Sequence, residues 1–428
     1  MTKIENTTRA ELRITSNIMR NNQVFLLLIF FLALVLRVTA VFYLSNFDQI
    51  DGYELEDAAR NFLAGEGLRY KSTLSDNERS GFFYPLYTFV LAGFFKAFSS
   101  PYLWIELVQA LVGASTVAAL YFLTRRIADT RTALIAALIL AAYPIHVYWS
   151  CRIQPMVIEA FLIVLVTWLV IRSAQEGSIV SLVLAGFFTG MAVLSKSLYQ
   201  TFIPVWLLWY LYHDKRKVSR RLTFAALFLV LSVSVVSPWI IRNWLIQGQY
   251  VGIVLGGGRS LWYGNNPDAT GTAVTEEGEN FISTLNPETI DKLRRMDEVE
   301  RDEWFKRKAI SYIRKHPLRF LSMSIPKLKS LWWFNELVPS SFGAARKTAY
   351  LFIIVPAFFG ILISLPRWRT FFMFYLIFGG MSFVYAIYYG EARFRYVIEP
   401  LLIIFSALAI SRAWAIISCR LAKRGSEG

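Results

Sequence analysis

The stretch VFLLLIFFLALVLRVTAVFYLSNFDQIDGYELEDAARNFLAGEG, residues 24–67, decides the fold, because its two halves demand opposite surroundings. Val24 to Leu44 is an apolar run interrupted by one charge, Arg37. As a helix it is long enough to cross a hydrocarbon layer of about 30 Å, which takes about 20 residues. The half that follows carries Asp48, Asp51, Glu54, Glu56 and Asp57, in a chain whose net charge is +15. An acidic, turn-rich segment at the end of a membrane helix predicts a loop held at the bilayer surface. Within it the spacing of Tyr53, Leu55, Ala58, Ala59, Phe62 and Leu63, stopped by Gly65 and Gly67, predicts a short helix lying on the membrane.

Further apolar runs recur along the 428 residues, and the composition agrees with them: 55% hydrophobic, 16% aromatic, mean hydropathy +0.44. Soluble domains hold about 45–50% apolar residues, so a soluble globule is excluded. The two-residue alternation of a membrane barrel is absent. The fold class is therefore an all-α polytopic membrane protein. Lys and Arg sit in short loops and one long loop with no nucleic-acid module, which makes them topology signals and contacts to anionic lipid, with no nucleic-acid partner. The first apolar run follows a long polar segment and precedes no small-residue cleavage pattern, so it reads as a retained helix.

Positive-inside bias puts residues 1–22, with Lys3, Arg9, Arg13 and Arg20, in the cytoplasm and sends the first helix outward. Phe82 to Phe98 is of marginal length. Reading it as an interfacial or re-entrant helix keeps Arg125, Arg126 and Arg131 inside. Spans are then expected near 102–124, 132–150, 156–173, 179–196, 199–212, 222–242, 348–365, 370–389 and 400–418, about ten with the first. The organisation is a transmembrane module at 23–242 with its first outer loop at 46–100, a long outer loop with amphipathic helices at 243–347, and closing helices with a cytoplasmic tail at 348–428. Asn286-Pro287-Glu288 predicts a helix start, His316-Pro317 its end, and 318–336, with Lys327, Lys329, Trp332 and Trp333, an interfacial stretch. Cys151 and Cys419 fall on opposite faces, so no disulfide joins them.

Ionisable groups close to hydrocarbon are costly, so each one at an outer helix end is a functional candidate. The acidic set is Asp48, Asp51, Glu54, Asp57 and Glu159; the basic set is Lys196, Arg242, Arg393 and Arg395. Together they suggest anion binding beside a carboxylate. Plainer readings stand next to this one: Asp51-x-x-Glu54 is spaced as a capping box, Glu54, Glu56 and Asp57 suit a helix dipole, and Lys196 and Arg242 suit snorkelling anchors. Gly256-Gly257-Gly258-Arg259 lacks the Gly-Lys-Ser/Thr ending of a P-loop and reads as a flexible loop. His146, His213 and His316 have no metal-ligand spacing, and no G-x-S-x-G elbow occurs.

Several of these residues sit in motifs that resemble the GT-C membrane glycosyltransferases, in particular the protein O-mannosyltransferase and aminoarabinose lipid A transferase branch. The first outer loop, Asp51-Gly52-Tyr53 with Ala59-Arg60 and Gly65-x-Gly67, is similar to that family's. Tyr84-Pro85-Leu86-Tyr87 resembles its Pro-Pro-Leu-Tyr, with Tyr84 in place of the first proline. Leu194-Ser195-Lys196 is similar to Leu-Thr-Lys, and Pro238-Trp239 with Arg242-Asn243 to Pro-Trp-x-x-Arg-Asn. Gly264-Asn265-Asn266-Pro267 with Gly271 is similar to a loop of bacterial members, and Arg393-Phe394-Arg395-Tyr396 with Pro400 to an Arg-Tyr-Arg signature.

The resemblance implies a transferase that moves a sugar from a polyprenyl-phosphate donor to a lipid, glycan or protein acceptor at the outer face of a bacterial inner membrane, with inversion. It implies Lys196, Arg242, Arg393 and Arg395 on the donor phosphate, Asp51 as general base with Asp48 as rival, and Glu54, Tyr84, Glu159, Asn265 and Asn266 near substrate. No metal or other cofactor is expected, because residues 150–160, SCRIQPMVIEA, offer Glu159 alone where oligosaccharyltransferases carry an Asp-x-Asp-like pair. A transporter or lipid flippase, and an O-antigen ligase or polymerase, are the competing readings.

Overall fold

The computed structural model describes residues 2–45, 53–72, 75–79, 81, 84–334, 337 and 343–426. Helix α1 (Thr2–Leu44) runs unbroken from the polar N-terminal residues through the apolar run. Helix α2 (Tyr53–Leu63) follows and buries Ala58 and Ala59. It is stopped by Gly65 and Gly67 at φ +83° and +80°, a left-handed conformation that only glycine adopts cheaply. Strands β1 (Tyr70–Ser72) and β2 (Ser75–Arg79) form an antiparallel hairpin. Helix α3 (Pro85–Ala97) opens with proline in its first turn and has 13 residues, about 20 Å at 1.5 Å per residue, too short for the bilayer core.

Helix α4 (Pro101–Ile127) begins where α1 ends: Ser45 Oγ donates to Glu106 Oε1 at 2.6 Å. The chain from 46 to 100 therefore returns to the end of the bundle it left, and α3 does not cross. Helices α5 (Thr130–Ala142) and α6 (Pro144–Ser150) replace the single straight span read at 132–150, meeting at 54°. Pro144 has no N–H for the Leu140 carbonyl, and the bend strands the next one. Arg37 answers both, with Nη2 on Leu140 O at 3.3 Å and Nη1 on Ala141 O at 3.2 Å. The lone charge of the first span is thus a patch for a broken helix.

Helices α7 (Met156–Glu176) and α8 (Ile179–Ser195) come next, then a 3₁₀ turn (Ser197–Phe202), α9 (Ile203–His213) and the long α10 (Val218–Gln247). Gly186 and Gly190 let α8 press onto α10: an added Cβ would stand 2.9 Å from Phe228 O and 2.5 Å from Val235 Cβ. Helix α11 (Gly257–Gly264) forms where a flexible loop was expected, because Asp302 accepts hydrogen bonds from the Gly258 and Arg259 amides at 2.9 and 3.2 Å and closes the helix start. Burial pushes the Asp302 carboxyl up against these bonds. Helix α12 (Pro287–Arg295) starts under the Asn286 cap, and α13 (Glu298–Lys315) under an Asp297–Glu300 capping box.

Helix α14 (Pro317–Trp332) leads to α15 (Gly343–Ser364), a 3₁₀ turn (Leu365–Arg367), α16 (Trp368–Ile387), a second 3₁₀ turn (Ala392–Ile398) and α17 (Glu399–Ser426). Phe405 of α17 meets Gly360 of α15 and the rings of Phe371, Phe374, Tyr375 and Phe378 of α16. Among the described residues six stretches are long and apolar enough to cross a membrane, or seven if α5 and α6 count as one bent span. Helices α8 and α9, read as spans, have 17 and 11 residues.

The basic turns gather at one end of this bundle. Arg126 reaches Gln175 and Glu176, Arg216 reaches Gly177 O, and Arg367 reaches Ile127 O. The other end holds the start of α7, the end of α8 and the end of α16. Cys151 is buried and Cys419 exposed, and no disulfide joins the two.

Candidate active site

At the end opposite the basic turns, helix α8 stops at Ser195. Lys196 takes an extended backbone (φ −159°, ψ 123°), and the chain restarts as the 3₁₀ turn. Glu159, in the first turn of α7 and 2% exposed, holds this break from both sides. Its Oε1 accepts from Ser195 Oγ at 3.0 Å and its Oε2 from Tyr199 OH at 2.7 Å. Buried carboxylates demand such donors. Lys196 directly follows the first of the two hydroxyl residues and precedes the second, so the clamp fixes the point from which the lysine projects.

Lys196 faces an aromatic wall supplied by the end of α16 and the segment after it. Tyr385 and Phe394 stack at 4.7 Å and 10°, and the Lys196 ammonium stands 4.2 Å from the Phe394 centroid and 5.8 Å from that of Tyr385. A cation over ring faces is attracted by their quadrupoles. Arg393, half-exposed, is paired with Glu391 and lies 5.5 Å from the same Phe394 ring. Tyr389 packs edge-on against Phe394, and burial pushes its phenol up, so it stays neutral. Tyr84 closes the near side, its OH 3.3 Å from Ser197 Oγ. Glu159, Arg393 and Glu391 are the charged groups near Lys196, with the Tyr84 phenol beside them. Its ammonium makes no hydrogen bond to any described residue. Two cations beside apolar rings form a place where an anion attached to a hydrocarbon chain gains both charge and contact.

Four residues singled out in the sequence thus come together: Tyr84, Glu159, Lys196 and Arg393. Others do not join them. Arg395 is 1% exposed and turned inward, its Nε on Glu399 Oε1 at 2.9 Å and its Nη1 on Leu331 O and Trp333 O, with Tyr350 at 3.8 Å. That correction is geometric: the guanidinium is spent inside the bundle. Asn265 and Asn266 are also buried: Asn265 donates to Leu261 O and Ile387 O and accepts from the Lys327 ammonium, while Asn266 serves its own loop, on Trp262 O, Tyr263 O and the Asp268 amide. Arg242 lies over Trp239 at 4.6 Å and bonds Asn243, near Glu298 and Arg69. Glu54 sits in the first turn of α2. Asp48 and Asp51 lie outside the described residues.

Sequence reading missed Ser195, Tyr199, Tyr385, Glu391 and Phe394. Glu391 had a signal, since an acid beside Arg393 in a short turn invites pairing; the rings had none in so aromatic a chain. Among the described residues no three His, Cys, Asp or Glu side chains stand together as a metal site.

Residues 84–242 match the model of the family described as dolichyl-phosphate-mannose-protein mannosyltransferase. The Bacillus subtilis protein YkcB, a candidate mannosyltransferase, is 29% identical over 142 residues, which is 32% of this chain and 20% of YkcB. Among solved structures the oligosaccharyltransferase of Archaeoglobus fulgidus in its apo form superposes with a TM-score of 0.60 at 15% identity, over 95% of this chain and 52% of the archaeal one. The same enzyme, AglB, in complex with an inhibitory peptide and a dolichol phosphate gives 0.56 at 14% identity over the same shares. The chain therefore spans a fifth of the curated relative and about half of the archaeal enzyme. Residues 84–242 are thus similar to the mannosyltransferase family, and the chain is a multi-pass membrane protein whose fold is like that of the archaeal oligosaccharyltransferase.

Proposed function

We propose that the protein is a glycosyltransferase that takes a sugar from a polyprenyl-phosphate donor and passes it to a lipid, glycan or protein acceptor at the outer face of a bacterial inner membrane. The observation that carries this reading is the Lys196 ammonium, held over the Phe394 and Tyr385 rings beside Arg393 with no hydrogen bond to a described residue. As the bond from sugar C1 to phosphate oxygen breaks, negative charge grows on the leaving phosphate. Fixed cations then stabilise the transition state more than the ground state. Arg393, steered by Glu391, supplies the second charge, and the stacked rings suit an apolar chain next to the phosphate. The bound dolichol phosphate of the archaeal enzyme of like fold supports a lipid-phosphate ligand.

The acceptor loses a proton as it attacks C1, and Asp51, two residues ahead of α2, is the proposed base. One displacement inverts the anomeric centre, and no metal ion is required. The transport reading needs ionisable groups free within the spans. Arg37 of α1 is bound by backbone carbonyls, and Glu159 of α7 by two hydroxyls.

The test is transfer from radiolabelled polyprenyl-phosphate sugars by the purified protein in nanodiscs, with the product's anomeric configuration determined and EDTA present in one arm. Inverted product made by wild type and lost in Asp51→Asn is expected. Translocation of lipid without sugar turnover would sink the proposal, and retention of configuration would remove the single displacement.

A further inference from the structure

Lys327 of α14 is fully buried, yet among the described residues no carboxylate pairs with it. Its ammonium donates to Asn265 Oδ1 at 2.9 Å and to Ile387 O at 3.0 Å, with the Phe320 ring at 5.3 Å. Ile387 is the last residue of α16, where unpaired carbonyls make the negative end of the helix dipole. Burying a cation without an opposite charge is costly, and an apolar side chain would fill the space more cheaply. The charge therefore serves something other than bulk stability.

The surroundings show what it holds. Three glycines close around this lysine: an added Cβ would stand 2.0 Å from Lys327 O at Gly390, 3.0 Å from Lys327 N at Gly271, and 3.1 Å from Lys327 Cε at Gly264. The Gly390 amide also donates to Gly271 O at 2.9 Å. The chain from Tyr388 to Phe394, which carries Glu391 and Arg393, is thus tied to α14 before it by Lys327 on Ile387 O. After it, Arg395 makes the second tie, on Leu331 O and Trp333 O.

We propose that Lys327 is a positioning residue: its ammonium anchors the Tyr388–Phe394 segment so that Glu391 presents Arg393 opposite Lys196. The role in transfer rests on the function proposed above; the anchoring does not. Burial pushes the Lys327 ammonium down to about 8, which fits a charge held without an ionic partner.

The experiment compares wild type, Lys327→Met and Lys327→Met/Asn265→Leu in nanodiscs by hydrogen–deuterium exchange and by donor kinetics. Lys327→Met is expected to speed exchange of amides 388–394 by about tenfold while α4, α7 and α8 exchange as in wild type, and to lower kcat by about tenfold at nearly constant donor KM. The double variant refills the space with apolar atoms and leaves both effects in place, whereas a role in packing alone would be rescued. Unchanged exchange at 388–394, a rise spread over the whole bundle, or rescue by the double variant overturns the proposal. If wild type turns over no donor, the transferase reading fails, and the exchange data still decide whether Lys327 is the anchor.

Discussion

Replacing Lys196 by Met separates the charge of this residue from its shape. Methionine keeps an unbranched stem over the Phe394 ring, where the ammonium now stands 4.2 Å from the centroid. If the ammonium meets the leaving phosphate, its removal compares with deleting one preorganised donor to a developing anion, about 10²–10³ in transfer rate or about 3–4 kcal/mol. A second effect arises inside the protein. Glu159 keeps its hydroxyl donors at 3.0 and 2.7 Å but loses the cation that attracts it, so the fold weakens by about 1–3 kcal/mol. Adding Glu159→Gln removes the stranded charge and restores most of that stability without restoring transfer. The assay is initial-rate transfer from a radiolabelled polyprenyl-phosphate sugar in nanodiscs, with thermal unfolding followed on the same samples. Transfer within about threefold of wild type by a folded Lys196→Met protein would refute the phosphate role.

Arg395→Met strands buried Glu399 and is expected to cost about 3–5 kcal/mol in unfolding experiments. Gly360→Ala puts a Cβ 1.9 Å from Phe405 O, so α15 must shift from α17 at a cost of about 1–3 kcal/mol, read as a lower Tm. For Asp214, burial raises the carboxyl, but hydrogen bonds from the Arg216 side chain and amide outweigh it and hold the group at about 2 instead of 3.8. The folded state therefore binds this proton less readily than the unfolded one. Its contribution is present above pH 3.8 and is lost as pH falls toward 2, and Asp214→Asn should flatten that acid limb of the stability curve.

The membrane helices were legible because burial in hydrocarbon needs long apolar runs, and such runs are local in sequence. Their breaks were less so. The bend at Pro144 depends on a guanidinium from α1 that satisfies carbonyls 103 and 104 residues away, and local pattern carries no trace of that partnership. Gly256 to Arg259 looked like a flexible loop for the same reason: the carboxylate that makes it a helix start, Asp302, is more than forty residues further on. Asn265 and Asn266 resembled ligand contacts, yet an asparagine side chain serves the protein's own groups equally well: Asn266 holds its own turn, and Asn265 also holds Ile387 O and Lys327.

Arg393 and Arg395 make the limit sharpest, because two identical side chains two residues apart have opposite fates. Residues 392–398 form a 3₁₀ turn, in which each residue advances about 120° around the axis, so the two arginines project about 120° from one another. The two cannot share one direction. Sequence shows the pair but not the phase of the turn, and the phase is set by neighbours on both sides. Arg395 finds Glu399 one turn on and the Leu331 and Trp333 carbonyls of α14, while Lys327 fixes Ile387 ahead of it. With both ends tied to α14, Arg393 is left to pair with Glu391 on the open side, beside Lys196. What selects the site cation is therefore the long outer loop and α14, far from the motif that contains it. Swapping Phe394 and Arg395 within the motif should lower the Tm far more than Arg393→Met does, since it moves the inward charge out of phase with its three acceptors.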